Sequence, residues 1–69
     1  MPKDTFYNLD QEKKQKVINV LHEEFSQKPF SEVNVKSIVE KIGIARGSFY
    51  QYFENLEDSY FYINYKHPY

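Results

Sequence analysis

One glycine between two short apolar runs constrains this chain more than any other feature. The stretch Val35 to Phe53 reads VKSIVEKIGIARGSFYQYF. Val35, Ile38, Val39 and Ile42 recur at i, i+3, i+4 and i+7, which is one face of an α-helix. Lys36, Ser37, Glu40 and Lys41 fill the other face. Asn34 stands just before the first apolar residue, where its side-chain oxygen can accept from an orphan amide of the first turn. Gly43 follows the last one, and glycine enters the left-handed conformation that ends a helix without a Cβ penalty. A second helix is predicted from Ala45 to Phe53. Phe49 and Phe53 share one side of it, Gly47, Ser48 and Gln51 lie opposite, and Arg46, Tyr50 and Tyr52 flank them. Two helices joined by a glycine turn, the second showing small and polar residues outward, form a helix-turn-helix.

The flanking segments read as a brace and a connection. Met1 to Leu9 shows no helical period and is expected to be a flexible arm, its Lys3 either solvated or near a phosphate. Asp10 is a good N-cap for a helix to about Gln27, with Val17, Ile18, Leu21 and Phe25 as its buried stripe and Val20 at the margin. Lys13, Lys14 and Lys16 crowd the first turns of that helix, while Glu23 and Glu24 sit near its end. The helix macrodipole prefers the reverse. Either the lysine end faces an anion, or exposed lysines simply cost little there. Pro29 ends the helix, and Phe30 and Val33 are expected to plug the core from the connector. Asn55 resembles another N-cap, with Glu57 and Asp58 in the first turn of a fourth helix that carries Leu56, Tyr60 and Ile63 on one face and ends by His67-Pro68.

With 69 residues the chain is one small domain. It has no cysteine, hence no disulfide or thiolate–metal staple, and neither His22 nor His67 has a partner at a metal-ligand spacing. No run is long enough to span a membrane and no signal segment is present, so the cytoplasm is the default expectation. The net charge of −1 argues mildly against a nucleic-acid binder. Its distribution softens the objection: residues 34–53 carry a net +2 and residues 54–69 a net −2. The expected architecture is all-α, a three-helix homeodomain-like helix-turn-helix bundle with the start of a fourth helix.

Residues 42–53, Ile-Gly-Ile-Ala-Arg-Gly-Ser-Phe-Tyr-Gln-Tyr-Phe, resemble the signature of the tetracycline-repressor (TetR) family of bacterial transcriptional regulators. That family commonly reads alanine-glycine-valine-serine-lysine-glycine-threonine-leucine-tyrosine-histidine-tyrosine-phenylalanine. The glycines, the tyrosines and the final phenylalanine agree in identity, and the resemblance runs from about Val17 to Glu57. It implies one DNA-binding domain over residues 1–69, with the helix-turn-helix at 34–53 and the start of a connecting helix at 55–67. It also implies that the ligand-binding and dimerisation domain of the family is absent from this sequence. The implied function is sequence-specific DNA binding in transcriptional regulation, as a repressor. The partner would be double-stranded DNA, a palindromic operator or its half-site, with a homodimer where the dimerisation domain is present. No cofactor, metal or catalytic role is implied. Two departures stand out. Ala45 replaces the serine that usually caps the recognition helix, and Leu56 replaces a lysine that commonly contacts phosphate.

The candidate base-edge residues are Arg46, Gly47, Ser48 and Gln51. The fork of Arg46 suits phosphate or guanine, Gln51 suits adenine, and Ser48 can pair with several bases. Gly47 has two readings, close approach to DNA or close helix packing, because both use the missing Cβ. The candidate phosphate residues are Asn34, Lys36, Tyr50 and Tyr52. Asn34 also caps its helix, Lys36 can equally be plain surface, and the two tyrosines, assigned to phosphate by the resemblance, can equally pack with wet hydroxyls. A helical protein–protein interaction module is the alternative reading, favoured by the acidic balance and the aromatic segment Tyr60 to Tyr65. No nucleophile–base pair or metal constellation points to an enzyme.

Overall fold

The computed structural model describes residues 2–66. Five α-helices and one 3-10 turn follow one another: α1 (Asp4–Tyr7), α2 (Gln11–Gln27), the turn Phe30–Glu32, α3 (Val35–Ile42), α4 (Arg46–Tyr52) and α5 (Leu56–Lys66). The architecture is all-α as the sequence implies, with α2 packed on α3 and α5, and α4 packed on α3 and α1.

The helix ends lie where local chemistry puts them. Lys13 donates its amide to Asp10 Oδ1 at 2.9 Å, and Ser37 donates its amide to Asn34 Oδ1 at 2.8 Å. Gly43 ends α3 with φ of 87°, its amide bonded to the Val39 carbonyl. At α5 the Asp58 amide donates to Asn55 Oδ1 at 2.8 Å, while Asp58 Oδ2 accepts the Glu54 amide at 3.0 Å. That exchange resembles a capping box. The expected end of this helix at His67-Pro68 lies outside the described residues.

Val17, Ile18 and Leu21 of α2 meet Val35, Ile38, Val39 and Ile42 of α3 and Phe49 and Phe53 behind α4, all buried. Val33 is buried below the connector, whereas Phe30 stacks on Phe25 at 6.2 Å and meets Tyr60 edge-on at 4.9 Å. This side cluster fastens the connector to α5.

Two sequence expectations about packing need correction. The amino-terminal segment is not a free arm: α1 forms there and Phe6 is fully buried. Its ring lies 5.1 Å from Phe53, 5.3 Å from Tyr62 and 6.3 Å from Tyr52. A single turn has no period to detect, so only the tertiary contact makes it helical. The buried face of α5 is also rotated. Asp58, Ser59, Tyr62 and Ile63 are buried, while Leu56 and Tyr60 are half-buried. Phe6 draws Tyr62 inward, and Ser59 satisfies its hydroxyl on the Leu56 carbonyl at 2.7 Å.

Glu24, to which the sequence assigned no partner, is fully buried where α2 meets α3. Lys41 Nζ donates to its Oε2, Lys28 Nζ donates to its Oε1 at 3.3 Å, and so does Ser37 Oγ at 3.3 Å. Lys41 also reaches Glu23 at 3.2 Å. The Lys41 ammonium, opposed by burial and helped by Lys28, holds the Glu24 carboxyl below its ordinary range. Glu24 in turn raises Lys41 above its own.

Two outcomes follow from this packing. Phe6→Ala will lower stability by about 3–5 kcal/mol, read by urea denaturation, because it empties the centre of an aromatic cluster. A loss below about 1 kcal/mol would mean that α1 is a surface ornament. Glu24 has a depressed folded-state pKa, so its stabilisation is complete above the ordinary carboxyl range and is lost as pH falls through the lowered value. The stability gap between the native chain and Glu24→Gln will therefore be constant near neutrality and shrink in acid. A gap independent of pH would show that the charged clamp is not formed.

Candidate nucleic-acid interface

The outward face of α4 is built by what the inward face does. Phe49 is fully buried, and Phe53 just beyond the helix is buried with it, which turns Arg46, Gly47 and Gln51 to solvent and leaves Ser48 half-exposed. Among the described residues the side chains of Arg46, Ser48 and Gln51 have no hydrogen-bond or ion-pair partner. Their donors and acceptors are available to a ligand. The amino end of α4 carries no side-chain cap, as Ala45 implies.

Gly47 separates two readings that sequence leaves joined. A Cβ built there meets nothing within 4 Å. Close helix packing within this chain therefore does not require glycine at this position.

Of the phosphate candidates, Asn34 and Lys36 are exposed at the start of α3, and Asn34 uses its oxygen for the cap. Tyr50 is 39% exposed, with its ring edge-on to Phe49 at 5.4 Å, so one face packs and the rest stays wet. Tyr52 does not sit at the margin where the sequence puts it. It is 9% exposed, covered by Phe6 of the segment read as a free arm.

The cations sort into two groups. Lys3, Lys28 and Lys41 are in ion pairs with Glu54, Glu24 and Glu23. Among the described residues Lys13, Lys14, Lys16, Lys36, Arg46 and Lys66 make none. Lys13 and Lys16 stand beside the helix-turn-helix turn, lining a cleft of ≈ 190 Å³ with Leu9, Ile44, Gly43 and Tyr52. The positive charge assigned to residues 34–53 thus loses Lys41 to an internal clamp and gains the α2 lysines as neighbours.

Lys3, read from the sequence as solvated or near a phosphate, is instead bonded to the end of α4. Its amide donates to the Tyr52 carbonyl at 2.8 Å and its Nζ to the Tyr50 carbonyl at 2.9 Å. The sequence signal was the pair of apolar residues Phe6 and Leu9 in an otherwise largely polar segment.

A short helix packed through two phenylalanines, entered by a left-handed glycine turn and presenting an unpartnered polar face, defines a helix-turn-helix domain. Residues 17–58 match the family model for bacterial regulatory proteins of the tetR family. The crystal structure of a TetR family transcriptional regulator from Chloroflexus aurantiacus J-10-FL is similar over 91% of this chain, at 48% identity and a TM-score of 0.87. The chain belongs to the TetR family of bacterial regulators. It spans 29% of the length of that solved relative. No curated protein matches.

Gly47→Ala will stabilise the fold by roughly 0.5–1 kcal/mol in urea denaturation, because the helix gains a better former and no atom is displaced. A destabilised variant would place a protein contact at Gly47 that the structure does not contain.

Proposed function

We propose that this domain reads double-stranded DNA in sequence-specific fashion, with α4 in the major groove, and serves a transcriptional repressor. The observation that carries the reading is the polar face of Arg46, Gly47, Ser48 and Gln51. Arg46, Gly47 and Gln51 are exposed and Ser48 half-exposed, their side chains have no partner among the described residues, and the other side of the helix is locked in the core. Arg46 would take phosphate or guanine O6/N7 at the leading end, Gln51 adenine, and Ser48 a base edge beside them. Gly47 lets the helix backbone approach. Asn34, Lys36 and Tyr50 would hold phosphates, and the unpaired Lys13 and Lys16 would add positive field along the same side. Tyr52 is left out of the set because it is buried.

A repressor of this kind acts by occupying a palindromic operator as a two-fold dimer. The dimerising and ligand-binding functions are proposed for sequence beyond these residues in a protein of the relative's length. Alone, the 69-residue chain would bind one half-site weakly.

Phe61 and Tyr65, 51% and 76% exposed and stacked at 5.9 Å on α5, favour a second reading, docking of another protein segment. Salt separates the two. Binding through several phosphates weakens steeply as salt rises, while apolar association does not.

Selection of duplexes from a randomised pool, followed by anisotropy titration at two salt concentrations, tests the proposal. A half-site motif will be enriched at low salt. Gln51→Ala will alter base preference at one position by about 1–3 kcal/mol. Lys36→Ala will weaken all sequences alike and reduce the salt slope by about 0.9. Gly47→Ala will bind less tightly despite its added stability. Absence of enrichment, or no effect of any of these variants, would remove α4 from the groove.

A further inference from the structure

The recognition helix is too short to set its own direction. It has seven residues and no side-chain cap at its start. Helices of this length are unstable alone, so neighbours must fix where the axis points. At the far end the last carbonyls lack partners inside the helix. One residue from the opposite end of the chain supplies two of those partners. Lys3 donates its amide to the Tyr52 carbonyl at 2.8 Å and its ammonium to the Tyr50 carbonyl at 2.9 Å. The ammonium is placed at the negative end of the helix dipole and is balanced by Glu54 at 3.9 Å. Phe6, one turn later, wedges between Phe53 and Tyr62 and so joins the end of α4 to α5.

We infer that the segment Lys3 to Phe6 is a tether that positions the recognition helix, with Lys3 capping its C-terminal end from 47 positions earlier in the same chain. Lys3 and Phe6 are positioning residues: Lys3 directs its ammonium to a backbone carbonyl, not to DNA. The tether lies outside residues 17–58, so the part of the chain that matches the family model does not contain it. It predicts that discrimination between DNA sequences depends on a lysine that contributes no phosphate contact. The inference deepens the DNA-reading proposal and rests on it for its functional consequence, though not for its structural one.

The test uses the 69-residue chain, Lys3→Met and Lys3→Arg. Met keeps the backbone amide and an apolar stem but loses the cation. Lys3 is 44% exposed along its side chain, so neither variant threatens the core. Without DNA, amide hydrogen exchange of Phe49 to Phe53 will speed up in Lys3→Met and be largely restored in Lys3→Arg. With the selected half-site, affinity of Lys3→Met will fall roughly three- to tenfold, the scale of one charge-assisted hydrogen bond. Affinity for random duplex and the salt slope will stay unchanged. Unchanged exchange in Lys3→Met would overturn the tether. A salt slope reduced by about 0.9, with equal loss on specific and random DNA, would make Lys3 a phosphate contact and also overturn it. If the native chain selects no DNA, the DNA-reading proposal fails, and the exchange measurement alone still decides the tether.

Discussion

Seven residues of helix carry the polar face on which the proposed function rests, and such a helix does not persist in water by its own hydrogen bonds. The rest of the molecule supports it from three directions. The left-handed turn at Gly43 delivers the chain into α4 at a fixed angle. Phe49 and Phe53 anchor the inner side among Leu21, Ile38 and Ile42. Lys3 and Phe6 hold the far end from a segment 47 positions away. A helix held this way presents its outer side chains in a fixed array, and a reader of base edges needs that preorganisation.

Electrostatics separates structural charges from available ones. Glu24 is buried, yet it remains charged because Lys41, Lys28 and Ser37 converge on it. The clamp joins the brace helix to the first helix of the motif and removes Lys41 from the surface field. Among the described residues, the cations without ion pairs are at positions 13, 14, 16, 36, 46 and 66; of these, Lys13, Lys16, Lys36 and Arg46 lie on or beside the motif. A chain of net charge −1 can therefore offer a basic face. Totals taken over the sequence cannot reveal this, because they count paired and free charges alike.

The aromatic residues also divide by role. One set surrounds Phe6 and joins α1, α4 and α5. A second, Phe25, Phe30 and Tyr60, ties the connector to α5. Phe61, edge-on to Tyr60 at 6.1 Å, and Tyr65, stacked on Phe61, stay exposed. Within the run Tyr60 to Tyr65 burial makes the distinction: Tyr62 is buried, Tyr60 half-buried, and Phe61 and Tyr65 exposed.

Sequence by itself determined what depends on neighbours within a few residues. The caps at Asp10, Asn34 and Asn55, the glycine turn, the apolar stripe of α3 and the outward placement of Arg46, Gly47 and Gln51 all follow from helical period and local hydrogen bonding. The twelve residues from Ile42 to Phe53 were enough for the family resemblance. Tertiary structure decided what depends on contacts between distant residues: the turn at α1, the burial of Glu24 and Tyr52, the rotation of α5 towards Tyr62 and the freeing of Gly47 from any packing role. The physical reason is range. A cap or a stripe is settled by residues three or four apart, whereas Lys3 and the Tyr50 carbonyl are 47 positions apart and meet only through the tertiary fold.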